Sequence, residues 1–288
     1  PARREGALYR RTARGATDYQ LMCGAGTSAA ISGRGEARVW TDDMLLTREG
    51  GEGLYLHLRN PESGACVVMG QSGKIVFEAG AADICETLGE IEVRLKICIS
   101  PESGALYQLV ALENRAAYPQ RVELTGCMAA ALAPAGDMRA HPAFQNIFVR
   151  SETVNGSAVK LWRRARGDEA EKRGMLYGAS GAELKFETDY EKLVGRTGDI
   201  SRAGSVAETL SGTVGDVLNP CAAICASVEL KPGERKEMCF MLLPDADDAR
   251  LHELLAPEAQ ARAVRMAAAH AMAQNNYLEM DGRMAKLA

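Results

Sequence analysis

Glu90-Ile91-Glu92-Val93-Arg94-Leu95-Lys96-Ile97 alternates charged and apolar side chains, and Cys98-Ile99 completes the run. A period of two places one set of side chains in a core and the other in water, which is the signature of a half-buried strand. Ser100-Pro101-Glu102-Ser103-Gly104 follows, a turn in which proline presets φ and glycine accepts positive φ. Leu106 to Glu113 then runs back, so the stretch reads as a hairpin. The same arrangement occurs upstream: Leu54 to Arg59, the turn Asn60-Pro61-Glu62-Ser63-Gly64, and a return over Cys66 to Met69. The shared turn is too short to count as an internal repeat.

Outward from these hairpins, Pro119 to Cys127, Glu183 to Phe186 and Ala223 to Leu230 also read as strands. Lys231-Pro232-Gly233-Glu234 forms a turn before Glu237 to Leu243. Many short strands with few helices between them predict a mainly β chain, a large antiparallel sandwich or barrel. The pattern changes beyond residue 244, where Asp245-Ala246-Asp247-Asp248 precedes an Ala-, Leu-, Met-, Glu- and Arg-rich stretch. From Pro257 onward Val264, Ala267, Ala268, Ala271 and Met272 fall at helical spacing, with proline tolerated in the first turn. The expected organisation is a β-sandwich over residues 1–247 and a helical linker over 248–288.

The chain has 288 residues, 47% hydrophobic and 25% charged, which is the composition of a globular protein with a sizeable core. Its net charge of −4 and scattered cations argue against nucleic-acid binding, which needs a basic stripe. The one basic run, Arg163-Arg164-Ala165-Arg166, is followed by Asp168, Glu169 and Glu171 and reads as a solvated loop. No apolar stretch approaches the roughly 20 residues that span a bilayer. Pro1-Ala2-Arg3-Arg4 is not followed by an apolar signal core, and a start on proline suggests a piece of a longer chain. Eight cysteines lack the paired spacing of a zinc site, and most sit in apolar runs such as Met238-Cys239-Phe240. They read as small buried hydrophobes in a reducing cytoplasm rather than as disulfides.

No Gly-x-Ser-x-Gly elbow, phosphate loop or His-Glu-x-x-His occurs, so pattern alone assigns no catalytic residue, metal or cofactor. Three irregular polar segments remain as candidates. His141-Pro142-Ala143-Phe144-Gln145-Asn146-Ile147-Phe148 offers planar hydrogen-bonding groups and two aromatics for a sugar, or is a loop leading into a strand with its aromatics in the core. Glu187-Thr188-Asp189-Tyr190 precedes Gly195-Arg196-Thr197-Gly198-Asp199, whose Arg196 and Asp199 either bind hydroxyls or pair with each other. Leu210-Ser211-Gly212-Thr213-Val214-Gly215-Asp216 has small residues that permit close backbone approach.

Taken in order, these segments, with Val217-Leu218-x-Pro220 after the last, resemble the N-terminal domain of glycoside hydrolase family 94, formerly grouped as glycosyltransferase family 36. The resemblance covers about residues 19 to 243 and looks closest to the β-1,2-glucan members. It implies a supersandwich, a helical linker and then an (α/α)6 barrel that carries the catalytic acid and phosphate site. No catalytic residue is therefore carried over to this chain. In such relatives the sandwich packs on the barrel, shapes the active-site rim and often contributes to a homodimer. The expected role is an accessory domain contacting β-glucan or gluco-oligosaccharide, with His141, Phe144, Gln145, Asn146, Arg196 and Asp199 as sugar contacts. The competing role is a self-sufficient carbohydrate-binding module. Two departures from the family pattern stand out: Gly26 to Gly33 lacks the aromatics of a Gly-Tyr-Ser-x-Trp-like loop, and Asn219 stands where an aspartate is usual.

Overall fold

The computed structural model describes residues 10–72, 74–164, 174–181, 183–195, 198–244 and 248–284. Its first strands are β1 (Arg10–Thr12), β2 (Tyr19–Gly24), β3 (Thr27–Ser32), β4 (Ala37–Thr41), β5 (Leu45–Thr47), β6 (Tyr55–Arg59) and β7 (Cys66–Val68). β8 (Ile75–Glu78), β9 (Ala81–Leu88), β10 (Ile91–Ile99), β11 (Leu106–Asn114) and β12 (Gln120–Ala133) follow. Helices α1 (Ala135–Ala140) and α2 (Pro142–Asn146) separate these from β13 (Val149–Val154), β14 (Ala158–Arg163), β15 (Gly174–Ala179) and β16 (Lys185–Asp189). Then come helix α3 (Tyr190–Val194), β17 (Gly215–Asp216), β18 (Pro220–Leu230) and β19 (Arg235–Pro244). After a short turn over Asp248–Arg250, α4 (Leu251–Leu255) and α5 (Pro257–Met284) complete the described chain.

The strands form two antiparallel sheets, of ten and nine strands, so the mainly β supersandwich expected from the sequence is the fold observed. The larger runs β1-β8-β9-β10-β11-β19-β15-β14-β13-β17, and the smaller runs β16-β18-β12-β5-β4-β3-β2, with β6 and β7 branching from β12. One side of β12 pairs with β6 over Glu123 to Cys127 and with β5 from Ala130 onward. The register shifts between Ala130 and Ala133, a stretch in which Leu132 has a φ of +51°. The larger sheet ends in β1 and β17, three and two residues long, so its edges offer little ladder for another chain.

Each sheet is packed on its inner face and covered over part of its outer one. Ile97, Val93, Leu112, Leu124 and Phe240 fill the space between them. On the far side of the larger sheet, Cys98, Tyr107, Cys239, Met241 and Leu243 pack beneath Leu251, Leu254, Ala263 and Ala267 of α4 and α5. On the far side of the smaller sheet, Tyr55, Cys127, Ala129 and Cys221 pack beneath Leu193, Ile200 and Leu210. Strands buried on both faces need apolar residues at consecutive positions, which is why β19 and the end of β12 abandon the period of two. Five cysteines are buried in these layers, Cys66 and Cys85 are half-buried, Cys23 is exposed, and all eight are free.

Several local expectations are corrected. Residues 19–47 contain four strands, β2 to β5, that the pattern of small residues did not reveal. The segment from His141 is helical rather than a loop: Pro142 occupies the first turn of α2, where its missing N–H costs nothing. Phe144 on that helix is 45% exposed and so is no core residue. Arg163 is not solvated but buried on β14, donating to the Gln145 side chain at 2.6 Å, while Arg164 is exposed. Arg196 lies outside the described residues.

Candidate functional site

A polar cleft of about 620 Å³ opens between the β3–β4 turn and the loop that follows α3. On the first wall the chain keeps the alternation of a strand through a tight turn, so Ser32, Arg34, Glu36 and Arg38 line the same cleft. The Ser32 hydroxyl accepts the N–H of Arg34 at 3.3 Å and of Glu36 at 3.1 Å, which sets the turn. Glu36 is buried and accepts both Nε and Nη2 of Arg38, at 3.2 and 3.1 Å, as well as the Gly53 N–H at 3.3 Å. Those bonds hold the Arg38 guanidinium above its ordinary pKa, with burial acting against them. The guanidinium lies 5.6 Å from the centre of the Tyr19 ring. Tyr55 completes this side, its hydroxyl donating to the Gly51 carbonyl at 3.1 Å, and burial pushes its phenol well up.

Asp199 begins the second wall. Its carboxylate accepts the Ser201 N–H at 2.9 Å and the Ser201 hydroxyl at 2.6 Å, and these donors hold it below the usual carboxylate range. The next residue, Ile200, is fully buried beneath the loop. Its carbonyl accepts Nε2–H of His57, a buried side chain on β6, at 2.8 Å. Burial pushes the His57 imidazole down to about 4, so it is neutral and free to donate at ordinary pH. Gln71, from the turn after β7, donates to the Ser201 carbonyl at 2.7 Å and ties the loop to the first wall. The cleft thus presents an aromatic ring, amide and hydroxyl groups and charges on fixed backbone, the mixture that recognises a polyhydroxylated ligand. Asp199 is held ionised, the opposite of what a general acid needs at neutral pH.

The other expected contacts lie elsewhere, and none of His141, Phe144, Gln145 and Asn146 lines this cleft. His141 and Phe144 are exposed, and the Phe144 ring stands edge-on to Phe148 at 5.2 Å. Gln145 and Asn146 are buried and their amides are engaged within the fold. Gln145 accepts from Arg163, and Asn146, oriented by its hydrogen-bond network, accepts from Arg48 Nη2 at 3.3 Å and donates to the Pro142 carbonyl at 3.2 Å. Arg48 is itself largely withdrawn from water, which pushes its pKa down; it contacts Asn219 Oδ1 at 2.5 Å and the face of Tyr190 at 5.7 Å. That places Asn219 beside a desolvated cation.

Glu187, from the second irregular segment, organises the third. Its side chain accepts the N–H groups of Thr188 and Asp189 at 2.9 Å each and, on its other oxygen, the Ser211 N–H at 3.2 Å and the Ser211 hydroxyl at 2.5 Å. Burial raises this carboxyl, yet those donors outweigh it and hold the group below its ordinary value. The small residues of 210–216 therefore approach a buried carboxylate. Sequence reading missed Tyr19, Glu36, Arg38, Tyr55 and Gln71 as cleft residues, and the one available signal was the polar alternation from Ser32 to Arg38. Among the described residues no group of three or more His, Cys, Asp or Glu is placed to hold a metal ion.

Two large antiparallel sheets packed face to face, with helices against the outer face of the larger one, define a supersandwich domain. Residues 19–262 match the family described as glycosyl hydrolase 94, supersandwich domain, and the chain belongs to that family. Over 225 residues it is 24% identical to the cyclic beta-(1,2)-glucan synthase NdvB of Rhizobium meliloti (strain 1021), an alignment covering 72% of this chain and 8% of that protein. The chain thus spans a small part of the length of that relative. A bacterial glucoamylase complexed with acarbose superposes with a TM-score of 0.50 at 8% identity, over 92% of this chain and 39% of that one, a likeness of fold. A galactose mutarotase related enzyme from Lactobacillus acidophilus gives a TM-score of 0.44 at 10% identity, over 79% and 97% of the two chains, too loose to argue from. No helix among the described residues is long and apolar enough to cross a membrane.

Proposed function

We propose that this domain is the accessory, saccharide-contacting part of a glucan-processing glycoside phosphorylase or cyclic β-1,2-glucan synthase. In this reading it supports a catalytic (α/α)6 barrel and contributes the Asp199 cleft to the rim of the active site. The observation that carries it is the cleft: a polar, aromatic-bearing surface whose Asp199 is engaged by Ser201 and held ionised, fit to bind and not to protonate a glycosidic oxygen. Family membership and the similarity to a glucan synthase support the ligand class. The free cysteines suit a reducing, cytoplasmic setting. With short strands at the edges of the larger sheet, a homodimer would use a face, or an edge of the smaller sheet, rather than the larger sheet's edges.

Titration calorimetry of the chain with β-1,2- and β-1,4-gluco-oligosaccharides tests this. Weak binding, with Kd on the order of millimolar, is expected for the β-1,2 series, and Asp199→Ala together with Gln71→Ala should weaken it at least about tenfold. Heat from the ligand that survives both substitutions would move the saccharide surface away from this cleft, and no heat at all would leave only the scaffold role. Tight binding by the isolated chain, with Kd on the order of micromolar, would favour a self-sufficient binding module instead.

A further inference from the structure

Three guanidinium groups and two carboxylates line the Asp199 cleft, and the charges are not spent evenly. Glu36 and Arg38 satisfy each other through two hydrogen bonds, and Asp199 is taken up by Ser201. Arg34 and Arg202 remain: among the described residues neither guanidinium has a hydrogen bond or an ion pair. Arg202 is near enough to help keep Asp199 ionised, yet forms no ion pair with it.

Both arginines stand on backbone that is fixed before any ligand arrives. Arg34 sits in the β3–β4 turn beside Gly35, whose φ is +82° and whose absent Cβ would lie 2.2 Å from the Met69 carbonyl oxygen. At Gly70 a Cβ would lie 2.7 Å from the Arg34 carbonyl carbon, so the two turns are seated backbone against backbone. Across the cleft, the Arg202 loop is closed by the Ser205 hydroxyl, which donates to the Asp199 carbonyl at 2.6 Å, and by the His57 and Gln71 contacts. Both side chains are exposed, so each guanidinium can turn to a ligand from its fixed backbone. Its planar fork matches the oxygens of a phosphate or carboxylate in geometry and in charge, whereas a neutral sugar hydroxyl accepts its hydrogen bond without returning a counter-charge. The excess of one positive charge over the five charged groups adds to the same preference.

We propose that the cleft takes a saccharide carrying an anionic oxygen group, a phosphate ester or a carboxylate, gripped by Arg34 and Arg202 from opposite walls. Tyr19, Gln71 and Ser201 then face the sugar. This rests on the reading of the cleft as a saccharide site. The test is titration of the full chain with glucose 6-phosphate, glucuronate, inorganic phosphate and the neutral β-1,2-linked glucose disaccharide. One of the two charged sugars is expected to bind at least about tenfold more tightly than the neutral disaccharide, with an advantage that shrinks as salt rises. Which of the two wins identifies the anion. Arg34→Gln and Arg202→Gln should each cost the charged sugar about tenfold, and together they should abolish the preference, with thermal unfolding unchanged. Equal affinity for charged and neutral sugars, or a preference that survives the double variant, overturns the inference while leaving the saccharide reading intact. Inorganic phosphate binding as tightly as the sugar phosphate also overturns it, by showing a bare anion site. Failure of every sugar to bind overturns both.

Discussion

Replacing His57 by glutamine isolates the contact that pins the cleft's second wall to the sandwich. His57 is buried, its Nε2–H reaches the Ile200 carbonyl at 2.8 Å, and burial lowers its pKa from 6.5 to about 4. The unfolded chain takes up the proton near 6.5 while the native protein resists until about 4. Between those values the unfolded state binds more protons, so stability is full above the unfolded value and is lost as pH falls toward the folded one. The gap corresponds to about 3 kcal/mol in all, of which about 2 kcal/mol is gone by about pH 5. Glutamine does not titrate, and its amide still has a donor for Ile200. Urea unfolding of both proteins, followed by the fluorescence of Trp40 and Trp162, should be measured from about pH 7.5 to about pH 5. Carboxylate titrations are common to the two and cancel in the difference. The stability of the wild type relative to His57→Gln should fall by about 2 kcal/mol across that range. Parallel curves would refute the reasoning and show that the imidazole titrates alike in the native and unfolded chains.

Two further substitutions probe the supports around the site. At Gly80, φ is +71° and an added Cβ would lie 2.3 Å from the Ala267 carbonyl oxygen of α5; Gly80→Ala should lift the helix from the sheet, cost about 2–4 kcal/mol and open α5 to protease before the sandwich unfolds. Limited proteolysis that cuts wild type and variant alike would show that the helix adapts. Asn219→Asp should place a carboxylate beside the desolvated Arg48 and raise the urea midpoint by the equivalent of about 1 kcal/mol; a lowered midpoint would mean that burying a second charge costs more than the pair returns.

Local sequence determined the parts of this protein that local forces control. Alternation from Glu90 to Ile97 and the Pro-Glu-Ser-Gly turns yielded the β10–β11 and β6–β7 hairpins, because strand faces and turn dihedrals are set within a few residues. The α5 helix from Pro257 was legible for the same reason. The end of β12, Met128 to Ala133, was not, because a strand covered on both faces carries no alternation to read. Nor were α1, α2 and α3, each too short for a helical period to emerge. Asp199 was singled out from its glycine-flanked loop, but the groups that make it part of a cleft come from far along the chain. Arg34, Gln71 and Arg202 meet only because two turns seat on each other at Gly35 and Gly70 and a buried histidine draws the Ile200 loop down onto the sheet. The same holds for Gln145 and Asn146, whose exposed-looking polar pattern gave no sign that their partners would be Arg163 and Arg48 from other strands and turns. Periodicity encodes which face of an element is apolar; which elements face each other is decided by packing over long range, and the site exists only at that level.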